Sequence, residues 1–153
     1  MTKLIYKIDK LHSTDVETID KDYFLEIISE TCFFLPVRLC VDDKDIFQMC
    51  KINSEEVRNW IFLPAFSIIL NWKKNLENLL LTGKERIFLA DAGQMIILKS
   101  HDQLTISTNF NDVSVITSYN SFVSGINESI SNLSGEIKNK FPDIFDQEEL
   151  KYV

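Results

Sequence analysis

The chain has 153 residues, 45% of them hydrophobic and 25% charged, and sixteen Lys plus Arg stand against twenty-three Asp plus Glu for a net charge of -7. A chain of this length buries about 70% of its unfolded surface without help from a metal or disulfide, and four Gly and three Pro leave little room for a long linker. So acidic a surface repels a phosphate backbone or an anionic lipid surface, which sets aside direct nucleic-acid and membrane binding and favours a basic protein as partner. No apolar run near the N-terminus has signal-peptide length, and the longest, IFLPAFSIIL, is too short to span a bilayer. The expectation is a single domain over residues 1–153, cytoplasmic, with Cys32, Cys40 and Cys50 as buried reduced thiols.

In chain order, the run KLIYKI over residues 3–8 is short and rich in β-branched and aromatic residues, which predicts an opening strand. Residues 9–22 carry Asp9, Asp15, Glu17, Asp20 and Asp22 against two lysines and read as an exposed loop. Two strands follow, over 23–29 and 32–41, and Pro36 demotes the second to an edge strand or gives it a bulge. The turn VDDKD then crowds Asp42, Asp43 and Asp45 together, and residues 46–52 lead on as strand or loop.

From 54 to 82 the apolar residues Ile61, Ala65, Ile68, Ile69, Trp72, Leu76, Leu79 and Leu80 recur in steps of three and four, one side of a helix. Asn53 or Ser54 suits its N-cap and Gly83 the left-handed position past its end. Pro64 splits it into a helix over 54–62 and a longer one over 63–82, with a kink between. After Gly83 the period changes to two. Runs over 86–90, 95–99, 104–108 and 113–117 are separated by turn residues, which predicts an antiparallel meander with Leu104 and Ile106 on one face. Ser118 then caps a last helix whose stripe runs from Tyr119 through Phe122, Ile126, Ile130, Leu133 and Ile137 to Phe141, before Pro142. The predicted fold is α+β: an antiparallel sheet of six or seven strands packed against the kinked central helix and the C-terminal helix.

Chemistry-bearing patterns are sparse. His12 and His101 fall in loops with no second histidine at i+4. There is no GxSxG elbow, no phosphate-cradling glycine loop, and no EF-hand, since Gln48 and Ser54 stand where that loop needs Gly and Glu. Trp72 reads as core, and Trp60 is the aromatic less tied to the stripe. No catalytic residue, cofactor or metal is assigned, and the reading is of a binding protein rather than an enzyme. Its acidic groups are the 9–22 loop, the turn Asp42, Asp43 and Asp45, and the tail Asp143, Asp146, Glu148 and Glu149. Such groups serve solubility, or they enter the cationic cleft of a nuclease and form charge-assisted hydrogen bonds there.

The phrase Trp60-x3-Pro64-x7-Trp72-x3-Leu76, the Gly83 stop, IFLADAGQMIIL and the ending SYNSFVSGI to KFP resemble a group of small bacterial proteins of unassigned function over about residues 54–142. More generally the chain resembles immunity proteins of contact-dependent growth inhibition and related polymorphic toxin systems. The resemblance implies a cytoplasmic protein that binds the C-terminal domain of a cognate toxin, often a nuclease, and blocks its active site or a site nearby. The turn and the tail are the residues expected to meet the toxin. The alternative is a non-catalytic adaptor or subunit of a larger assembly, and a hydrolase with unrecognised carboxylates ranks last.

Overall fold

The structure is a computed structural model that describes residues 1–7, 34–48 and 60–142. Strand β1 (Thr2–Tyr6) pairs antiparallel with β2 (Phe34–Val41), which turns back into the two-residue β3 (Lys44–Asp45). Strand β4 (Ile61–Pro64) also pairs with β2 and runs into helix α1 (Ala65–Thr82). Strands β5 (Lys84–Phe88), β6 (Gln94–Ser100), β7 (Gln103–Thr108) and β8 (Ser114–Ser118) follow as a meander, then helix α2 (Tyr119–Lys140).

Among the described residues eight strands therefore form two four-stranded sheets, where the sequence predicts one sheet of six or seven. The first sheet is built around β2: Val37 pairs with both Tyr6 and Ile61, and Cys40 with both Lys3 and Asp45, so β1 lies on one edge and β3 and β4 share the other. This corrects the reading of β2 as an edge strand. The Pro36 carbonyl still accepts from Lys7 N at 3.1 Å, but β1 ends at the neighbouring pair, so the donor that proline lacks falls where the ladder stops.

The end of the predicted helix over 54–62 is corrected as well, while residues 54–59 lie outside the described residues. Residues 61–64 are strand, with Ile61 and Leu63 buried at alternate positions, and Pro64 ends that strand at φ -66° and ψ 119° in the N-cap position of α1. A proline's fixed φ suits a helix start as well as a kink, and pairing with β2 decides between them here. Gly83 takes the left-handed cap at φ 72° and donates to Leu79 O at 2.8 Å. The meander and α2 follow the sequence reading closely, and Ser118 Oγ accepts from Ser121 N at 3.1 Å as its cap. The 9–22 loop, the 23–29 strand, the Asn53 and Ser54 caps, His12, Cys32 and Cys50 lie outside the described residues.

One hydrophobic cluster takes side chains from both sheets and both helices, including Leu35, Leu39, Phe47, Leu79, Ile97, Leu104 and Phe122. Trp72 joins the helices: its ring meets Phe122 edge-on at 5.9 Å between centroids, and its Nε1 donates to Asn127 Oδ1 at 2.9 Å. Helix α2 closes the outer edge of β1. Ser129 Oγ accepts from Leu4 N at 3.1 Å, and Gly125 lies so close that a Cβ there would overlap the Thr2 carbonyl oxygen. A covered edge offers no free ladder to another chain.

Candidate functional site

The acidic turn between β2 and β3 has a conformational origin before it has any other. Asp42 and Asp43 sit at φ 47° and 66°, both left-handed, and a two-residue hairpin needs this at its two central positions. Aspartate is among the residues that tolerate it, because its short side chain bonds locally.

Two of the three carboxylates of the turn are engaged within the molecule. Asp42 pairs with the Met1 ammonium, which, followed by the Thr117 hydroxyl, holds its carboxyl below the usual carboxylate range. Asp45 accepts from Arg38 Nε at 2.9 Å through one oxygen and from Phe47 N at 3.0 Å through the other. Arg38 in turn stands 5.4 Å from the centre of the Trp60 ring, with Lys7 Nζ at 4.4 Å, so Trp60 is held by cations beside the middle of β2. Replacing Asp45 by alanine strands Arg38 and frees the Phe47 amide, and it should destabilise the fold by about 2 kcal/mol in urea unfolding. An unchanged midpoint would show that the pair is screened out by solvent.

Asp43 is exposed, and no pairing engages it among the described residues. It shares a depression with Asp112, which in the sequence stands only as part of the turn over 109–112. Asn111 brings the two together: its Nδ2 donates to Ile46 O at 2.9 Å and Gln48 O at 2.7 Å, while its Oδ1 accepts from Val113 N at 2.9 Å. The turn before β8 is thereby stapled to the segment after β3. Asp43, Asp45 and Asp112 line a shallow depression of about 490 Å³ with Lys44, Gln48 and Ser114. No spacing in the chain could reveal Asp112, because the contact is between distant segments. The tail residues Asp143, Asp146, Glu148 and Glu149 lie outside the described residues.

What this depression can do is accept: it offers carboxylate oxygens to lysine or arginine side chains on a surface already braced by internal bonds. Among the described residues no group of three His, Cys, Asp or Glu is placed to hold a metal ion, and no helix is long and apolar enough to cross a membrane. His101 occupies the β6–β7 turn at φ 53°, exposed. The half-buried Cys40 thiol is pushed up, first by burial and then by the Asp45 charge, which makes it a poor nucleophile. Comparison of the chain with protein-family models, with curated proteins and with solved structures finds no match.

Proposed function

We propose that the protein is a non-catalytic inhibitor, an immunity protein of the polymorphic-toxin kind. On this reading it acts in the cytoplasm, where it binds the basic C-terminal domain of a cognate toxin, a nuclease, and occludes the active site. The observation that carries the reading is the convergence of Asp43 and Asp112 on one braced surface beside Asp45. Carboxylates held in place before encounter lose little freedom on binding, and complementary fields speed docking. They occupy a nuclease cleft as phosphates do, taking its Lys and Arg in charge-assisted hydrogen bonds. Asp42 and Asp45 support the turn from within, so the toxin-facing charge of the turn rests on Asp43, extended by Asp112.

The test is co-purification with the product of the neighbouring gene. A one-to-one complex with a basic toxin domain is expected, and Asp43→Lys with Asp112→Lys should weaken it at least about a hundredfold, the range of a central hot spot. Full affinity in that double variant would remove the acidic surface from the interface.

A second reading, an adaptor or subunit of a larger assembly, is favoured by the outer face of β5–β8. There Lys84, Leu98, Thr105 and Ile116 align across four strands, and Phe88, Ile116 and Leu98 are 75%, 64% and 44% exposed. A multi-subunit complex that survives the Asp43 and Asp112 reversals and is lost with Ile116→Asp would establish it in place of the inhibitor.

A further inference from the structure

An open cleft of about 400 Å³ lies between α1, the later part of β5 and α2, with Leu39, Phe47, Ile68, Trp72, Phe122 and Ile130 among its walls. That volume falls in the range of small-molecule sites, which are mostly apolar with a few polar groups at one side. The polar groups here are neutral or cationic. Ser67, Asn71, Lys74, Asn75 and Asn78 come from one side of α1, and Arg86 comes from β5. Among the described residues no carboxylate lines the cleft, although acids outnumber bases in the chain by twenty-three to sixteen. Nor does Lys74 or Arg86 carry a carboxylate partner among those residues.

We infer that this cleft binds a free single-chain amphiphile, its apolar tail among Trp72, Phe122 and Ile130 and its anionic head at Lys74, Arg86 and the α1 amides. The apolar walls gain from leaving water only if something other than water fills them. The cationic and amide rim selects the sign of the head, since among the described residues of the lining a cation meets no carboxylate and an anion meets Lys74 and Arg86. The site is separate from the acidic depression and does not depend on the inhibitor reading.

Dodecanoate, dodecyltrimethylammonium and dodecanol share a tail and differ in head charge, so titrating each below its micelle concentration into the full-length protein by calorimetry tests the inference. Dodecanoate should bind one-to-one and at least about tenfold more tightly than the cation. Lys74→Glu with Arg86→Glu should abolish that preference while the variant keeps its near-ultraviolet dichroism, and Ile130→Trp, which fills the cleft, should remove binding of all three. Vesicles of phosphatidylglycerol should not sediment the protein. Binding that ignores head charge, binding that survives the Lys74 and Arg86 reversals, uptake only by vesicles, or no binding by any probe would each overturn the inference. The last would mean that the chain itself fills the space.

Discussion

Gly125→Val should destabilise the protein by about 3 kcal/mol or more, whereas Gly135→Ala on the same helix should stabilise it by about 0.5–1 kcal/mol. Both glycines sit inside α2, where alanine is intrinsically favoured, so propensity alone would have each substitution help. Their surroundings decide otherwise. A Cβ at Gly125 would overlap the Thr2 carbonyl oxygen and lie 2.8 Å from its carbon, a backbone group that cannot turn aside, while a Cβ at Gly135 meets nothing within 4 Å. The bulkier side chain must push α2 away from β1, and the bond from Leu4 N to Ser129 Oγ, one turn along, goes with it. Urea unfolding of both variants checks the pair. Equal effects of either sign would mean that α2 does not seat on β1 as described.

Phe122→Ala should cost about 3–5 kcal/mol, the usual range for emptying a buried aromatic site. Phe122 is fully buried, meets Trp72 edge-on, and forms part of the wall of the 400 Å³ cleft. Truncation therefore enlarges a space that the surroundings already leave open, and little collapse is available to offset it. Trp72 fluorescence reports the change, because the indole would lose its ring partner while keeping its hydrogen bond to Asn127. A loss below about 1 kcal/mol would show that the neighbours close over the site.

The C-terminal half of this fold could be read from local chemistry. Ser118, the stripe from Tyr119 to Phe141 and Pro142 fix α2; Gly83 ends α1; and the turns between the period-two runs give the meander. Each of these signals lies within a few residues of the element it defines. The N-terminal half depends on partners distant in sequence. Ile61 fits both the helical stripe and the alternation of β4, and only pairing with β2 makes it strand. Pro36 argued for an edge, yet β2 is central because its missing donor falls past the end of β1. The split into two sheets likewise follows from which strands pair, and composition does not record that choice. At the candidate site, Asp42, Asp43 and Asp45 were visible as a charged turn. The internal work of Asp42 and the arrival of Asp112 through Asn111 were not, because each depends on a residue far along the chain, and the bonds of Asp45 to nearby Arg38 and Phe47 follow from the hairpin geometry that charge spacing does not record.

The seating of α2 on β1 has a kinetic consequence. Leu4 waits for Ser129, a partner 125 positions later. At ribosomal speeds of about 5–20 residues per second, that interval is roughly 6–25 s. Through it the first strand has an open edge of the kind that recruits neighbouring chains. The nascent protein is thus most vulnerable to aggregation before its last helix emerges, and holding that first strand is the natural task of a chaperone acting during translation.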